Sequence, residues 1–285
     1  MGYTLVYGVL RLINFAHSEI FSLGIFATAF AIDGLGVTDS RTGLPLAGTL
    51  LLLLLAGMAV SGAAALLMER VAYRPLRRRN APRLTALITA IGISLLIQEF
   101  LALRYGRSQI GTARVLEKRE LLNLGGANIR TDKVLVFVAA VVLMIGLDQF
   151  VNRSRLGRGI RATAQDPETA SLMGVNIDRV VMLTFVLGGI LAGAAGTLFT
   201  IFFESARFNI GFLPGIKAFT AAVLGGIGNV RGALVGGLLL GLLENYGSTV
   251  LGGEWKDVFA FAVLVAVLLF RPSGLLGETL GRTRA

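Results

Sequence analysis

The sequence predicts an all-α membrane protein, a single domain over residues 1–285 built as a polytopic bundle of about seven to eight transmembrane helices. Three observations predict it. Of the 285 residues, 54% are hydrophobic and only 15% charged, against about a quarter charged in soluble domains. The apolar residues come in blocks of roughly the 20 residues that a helix needs to cross a bilayer. Glycine reaches 37 residues, roughly twice the usual share, and small residues let membrane helices approach closely.

In chain order, a first apolar stretch at 2–10 is too short to span at 1.5 Å per residue. It reads as the second half of a helix whose first half is missing. After it the pattern breaks at Asn14, Phe15, Ala16, His17, Ser18 and Glu19. Blocks at 20–36, 46–68, 84–103, 133–151, 180–202, 231–250 and 257–271 follow, each long enough to read as a membrane helix. A second short stretch, 214–226, breaks at Gly225, Gly226, Ile227, Gly228 and Asn229 and resumes after Gly232. Unwound backbone at membrane depth is tolerated only where protein or a wet cavity surrounds it. A pair of interrupted segments in two halves points to a translocation pathway, here Asn14, Phe15, His17, Ser18, Glu19, Gly225, Gly226, Gly228 and Asn229. Ordinary turns between helices at the membrane surface are the alternative.

The charges sit between the blocks. If the spans alternate and 214–226 counts as a crossing, 16 of the 27 basic residues fall on one side, including Arg11, Arg70, Arg74, Arg77, Arg153, Arg231, Arg282 and Arg284. Excess Lys and Arg marks that side as cytoplasmic. The net charge of +10 therefore reflects orientation rather than nucleic-acid binding. Arg77, Arg78 and Arg79 read as part of this signal, touching anionic headgroups. The absence of cysteine removes disulfides and thiolate chemistry, and the single histidine, His17, cannot anchor a metal cluster. No G-x-x-x-x-G-K-[ST] loop, H-E-x-x-H pair or G-x-S-x-G elbow is present, so neither an ATPase nor a hydrolase is legible, and no cofactor is implied. Glu244 lies in an apolar run and is a pathway or interface carboxylate. Asp148, at a helix end, reads as solvated.

The loop 152–179 holds a short helix with its own signals. Asp166 is an N-cap, Pro167 suits the first helical position, and Glu168 favours the positive end of the dipole. Leu172 and Met173 make an apolar end, and Gly174 can stop the helix in a left-handed conformation. Asp178 is then expected to cap the next span. A two-turn helix is not stable alone, so it must dock on a partner or on the membrane domain.

Arg161-Ala162, Gln165 through Asn176, and Phe185-Val186-Leu187-Gly188-Gly189 resemble the coupling loop and following helix of branched-chain amino acid ABC importer permeases. Val6-Tyr7-Gly8 with Ile13-Asn14-Phe15-Ala16-His17, Glu69-Arg70 with Ala72-Tyr73-Arg74-Pro75, and Ala221 through Gly228 are similar to the same family's patterns, in order along nearly the whole chain. The likeness is closest to the first of the two permease types of such systems. It implies a multi-pass subunit of the bacterial inner membrane, paired with a second related permease. Two ATPase subunits, on which ATP hydrolysis would occur, and a periplasmic substrate-binding protein complete the implied system. Arg161, Asp166, Pro167, Glu168, Ala170, Leu172, Met173 and Gly174 would then couple to an ATPase. Ser18 stands where the family commonly has glycine, and the family usually carries roughly another 20 residues ahead of Gly2. Urea or short-amide uptake within the family is the near alternative; a stand-alone secondary transporter or a membrane scaffold are those from other classes.

Overall fold

The computed structural model describes residues 1–10, 14–37, 43–124, 127–271 and 273–277. Arg11, Ile13, Arg282 and Arg284, used above for orientation and resemblance, lie outside the described residues. Every apolar block read from the sequence is a helix, with ends moved by a few residues. Helix α1 is Gly2–Leu10 and α2 is His17–Gly34; α3, Gly43–Met68, runs on through a π-helical turn at Glu69–Tyr73 into α4, Arg74–Arg78. Then come α5 (Arg83–Tyr105), α6 (Thr131–Arg153), α7 (Arg155–Gln165), α8 (Pro167–Leu172), α9 (Ile177–Phe203), α10 (Phe212–Gly225), α11 (Val230–Leu251) and α12 (Lys256–Phe270). Among the described residues five stretches are long and apolar enough to cross a membrane: Pro45–Arg78, Leu84–Tyr105, Thr131–Arg153, Ile177–Phe203 and Val230–Leu251. Helices α2 and α12 are shorter, and α10, with 14 residues, rises only about 21 Å.

Helix α9 is the central post: 61% of its most apolar window is buried, against 6% for α6 at the rim. It packs along α3, α2 and α1. The sequence allows this through small residues. A Cβ on Gly193 would strike the carbonyl of Gly57 on α3, and one on Gly196 would meet Ile25 N and Phe21 O of α2. Gly24 in turn faces the Cα of Gly193. Buried hydroxyls lace the same seam: Thr28 and Thr197 Oγ1 lie 2.9 Å apart, and Ser61 Oγ donates to Ile20 O at 2.9 Å. Such contacts replace a hydrophobic drive that does not exist between helices in lipid.

The loop 104–132 carries two short strand pairings. Strand β1 (Ile110–Gly111) pairs antiparallel with β4 (Ser205–Ala206), and β2 (Glu120–Leu124) pairs with β3 (Ala127–Arg130). Together with the end of α9 they make an outer clasp. At its centre Glu204 adopts φ 53°, a left-handed conformation costly for a residue with a Cβ. It is held there by Lys118 Nζ at 2.7 Å and Arg114 Nε at 3.1 Å, while its carbonyl accepts from Thr112 N. Burial pushes the Glu204 carboxyl up, but the two cations outweigh it and hold it below the usual glutamate range.

Two expectations follow. Gly193→Ala should destabilise the protein by about 1–3 kcal/mol through overpacking, whereas Gly146→Ala on α6, with nothing within 4 Å of the added carbon, should be neutral or slightly stabilising; thermal unfolding in detergent compares them. Because Glu204 has a depressed folded pKa, its contribution is present above the unfolded value near 4.3 and is lost as pH falls through the lower folded value. Amide protection at 110–118 and 204–206, corrected for the slower intrinsic exchange in acid, should therefore fall at acid pH, and Glu204→Gln should remove that acid-dependent step.

Candidate functional site

The first break is a junction near the middle of α9. His17 stacks edge-on against Tyr3, centroids 4.7 Å apart, and both Gly2 and Gly188 close on its ring. Asn14 makes the turn: its Oδ1 accepts from Ala16 N at 3.1 Å and from Tyr73 Oη at 2.9 Å, which ties the break to the π-helical end of α3. His17, Ser18 and Glu19 are not in unwound backbone. They form the first turn of α2, where helix geometry stacks Ser22 over Glu19. Glu19 is fully buried; Ser22 Oγ donates to its carboxyl at 3.0 Å and Gln98 Nε2 at 2.8 Å, with Ser18 and Ser94 hydroxyls at 3.4 and 3.5 Å.

Helix α10 starts against this junction, because Gly211 and Gly215 sit directly on Ser18. A cavity of about 1030 Å³ opens beside it, with Phe15, Ser18, Ser94, Gln98, Phe199 and Lys217 in its wall. The second break is narrower than expected. Gly225 ends α10 and Asn229 caps α11, accepting from Arg231 N at 3.0 Å and Gly232 N at 3.1 Å, so only 226–229 are outside helix. Gly226 and Gly228 have φ of 107° and 98°, which side-chain-bearing residues rarely adopt. Gly225 and Gly232 bring α10 and α11 into backbone contact. The wall of the large cavity thus includes Phe15 and Ser18 of the first break but none of Gly225, Gly226, Gly228 or Asn229. The breaks meet across α1 instead, where Gly8 faces Gly228 and a small void lies between Asn14, His17 and Ile227.

On the face with the basic loops, Ser154 Oγ caps α7 and Asp166 caps α8 by accepting from Glu168 N at 3.0 Å. Gly174 follows with φ 84°. Arg161 donates to Asn152 Oδ1 at 2.5 Å. The short helix does dock on its own chain, through Ala170, 4% exposed. Its end does not: Leu172 and Met173 are 86% and 81% exposed. Asp178 is not the cap of α9. Asn176 takes that role, accepting from Arg179 N at 2.9 Å. Asp178 is instead clasped by Arg77 at 2.6 Å and by Arg74 and Arg78 at 3.3 Å. Two of the three arginines read as headgroup contacts, Arg77 and Arg78, are thereby part of an ion-pair cluster, and Arg77 also reaches the buried Glu69 at 3.1 Å. The cluster joins the end of α3 to the start of α9, and Tyr73 in the same π-helical turn continues to Asn14.

Other pairs were not legible beforehand. Glu244 meets Lys217 at 3.2 Å, and Lys217 also meets Asp257 at 2.7 Å. Asp148 is not simply solvated but pairs with Arg231 at 2.8 Å. The Lys217–Glu244 and Arg231–Asp148 pairs join α11 to α10 and α6, and Lys217–Asp257 joins α10 to α12. Among the described residues no cluster of three His, Cys, Asp or Glu is suited to a metal. The site is thus a polar, hydrogen-bonded junction beside a mainly apolar cavity, joined through Asn14 and Tyr73 to the ion-pair cluster around Asp178.

Comparison with known proteins places the chain in a family. The sequence profile of the family described as branched-chain amino acid transport system / permease component matches residues 1–268. The high-affinity branched-chain amino acid transport system permease protein BraD of Pseudomonas aeruginosa is 42% identical over 281 residues, covering 98% of this chain and 90% of the relative. The corresponding LivH protein of Escherichia coli K12 is 40% identical over 285 residues, with the same coverage. A probable LivH permease of Methanocaldococcus jannaschii is 27% identical over 294 residues. No solved structure matches. With five candidate membrane spans, two half-length helices around a buried polar junction, and a match along almost its entire length, the chain belongs to the branched-chain amino acid transport permease family.

Proposed function

We propose that this chain is the permease subunit of an ATP-driven importer for leucine, isoleucine and valine, working in the inner membrane as a multi-pass protein. A second, related permease would complete the pathway, two separate ATPase subunits would hydrolyse ATP, and a periplasmic binding protein would deliver substrate. The pathway would run past Asn14, Phe15, His17, Ser18 and Glu19, with Gly225, Gly226, Gly228 and Asn229 near its inner end.

The observation that carries the reading is α8. Its Ala170 side is packed, while Leu172 and Met173 stand exposed at the end of this capped helix. An apolar tip on a docked, rigid element suits insertion into a partner's groove, as buried anchors dominate interface energetics. Movement of α8 would reach α9 through Asp178, then α3 and Asn14 through the arginine cluster and Tyr73. A secondary transporter working alone has no use for such a tip.

In proteoliposomes holding the complete importer, ATP-dependent uptake of radiolabelled leucine, isoleucine and valine should be observed. Replacing Leu172 and Met173 with Asp should weaken ATPase attachment by roughly 2 kcal/mol or more and abolish uptake, while the permease still purifies folded because both side chains are exposed. Retained co-purification of the ATPases would sink the coupling role. Asp178→Asn should leave the ATPases attached but lower uptake per ATP hydrolysed.

A further inference from the structure

Four acidic side chains are buried in the described bundle: Glu19, Glu69, Asp132 and Glu244. Three have a cation against them, Arg77 on Glu69, Arg130 on Asp132 and Lys217 on Glu244. Glu19 has none among the described residues, although it is the one beside the large cavity. A buried carboxylate without a cation is costly, and hydroxyl and amide donors supply dipoles but no net charge.

The way those donors are turned matters. Gln98 spends its Nε2 on Glu19 at 2.8 Å, which leaves its Oε1 as an acceptor. Ser94 Oγ points its proton at the same carboxyl at 3.5 Å, and Ser18 Oγ gives its proton to Phe15 O at 2.7 Å. All three residues line the cavity. The cavity wall there presents oxygens with free lone pairs, backed by an unneutralised acidic group. Much of the remaining lining is apolar, from Ile91 and Leu95 to Phe199, Phe203, Phe212 and Leu213, while Arg207, Lys217 and Asp257 also reach the wall, Lys217 with its charge matched by Glu244 and Asp257. A compact ammonium has three N–H donors and no acceptor, which matches three acceptor oxygens.

We propose that Ser94 and Gln98, oriented by Glu19 behind them, and Ser18, whose hydroxyl is turned by Phe15 O, form a subsite for the primary ammonium group of the transported amino acid, with the adjoining apolar wall receiving its branched side chain. The inference rests on the transport reading above. Glu19 is here a positioning residue, since its Oε1 is engaged by Gln98 and Ser94, which would touch the ligand, and its Oε2 by Ser22. The substrate would bring the positive charge that the other buried carboxylates obtain from the protein.

The test uses the assembled complex of permeases and ATPases in nanodiscs, without binding protein, and saturation-transfer NMR with three probes: leucine, 3-methylbutylamine and 4-methylpentanoate. Leucine and the amine should bind, and Glu19→Gln should weaken both by roughly tenfold or more, leaving the acid unaffected. Gln98→Leu, which keeps Glu19, should weaken the same two probes and covers the case in which Glu19→Gln does not assemble. Wild-type affinity for leucine in an assembled Glu19→Gln or Gln98→Leu complex would overturn the subsite. So would equal losses for amine and acid, or no leucine signal from a complex that transports leucine. A wild-type importer that takes up none of the three amino acids would instead overturn the transport reading.

Discussion

The backbone-to-backbone approach of α2, α3 and α9 is the constraint on which the rest of the molecule depends. Gly24, Gly57, Gly193 and Gly196 remove the side chains that would otherwise hold the three helices apart. The gap closes to hydrogen-bond range, so that Ser61, Thr28 and Thr197 can reach across it. Because the seam reaches up to Ile20 near the start of α2, it fixes that start near the middle of α9. The placement of Glu19, the return of α10 onto Ser18 and the cavity between them all follow from this one contact surface.

Rigidity is unevenly spread around that post. Helix α9 is mostly enclosed, while α6 shows Phe137, Val138, Val142 and Ile145 outward. These apolar faces need a lipid or protein environment, as expected of a membrane subunit. Ion pairs tie neighbouring elements together around the post: Arg74, Arg77 and Arg78 with Asp178 between α4 and α9, Lys217 with Glu244 between α10 and α11, and Arg231 with Asp148 between α11 and α6. Connections of that kind can break and reform without dismantling a core, which suits a protein expected to alternate between two arrangements.

The helices were legible because run length and apolarity are local properties of the chain. So was the short helix at 167–173, since Asp166, Pro167 and Gly174 each carry a terminal signal. The two breaks were visible as polar or glycine-rich interruptions, but their edges were not: Ser18, Glu19 and Gly232 turned out to be helical. Partners were hidden because they lie far apart in sequence, as Gln98 does from Glu19, and Asp178 from Arg77. Asp178 was misassigned for a physical reason, because Asn176, two residues earlier, has an amide oxygen placed to cap, whereas the carboxylate is drawn to three guanidiniums. Helix α7 was missed because its arginines and glycines read as loop. Its stability comes from Gly157 packing on the carbonyls of Phe150 and Val151 and from Ile160 entering the core.

The segment after α12 also takes part in the architecture. Leu275 N donates to Leu224 O at 2.8 Å, Leu276 N to Gly225 O at 3.0 Å, and Asn229 Nδ2 to Leu276 O at 2.8 Å. Carbonyls that a helix end leaves without partners are thus satisfied by a strand of chain some fifty residues further on. For protein engineering this sets a boundary: a reporter or affinity tag joined before Gly277 would strip the end of the half-helix, whereas one joined beyond it would leave the closure intact.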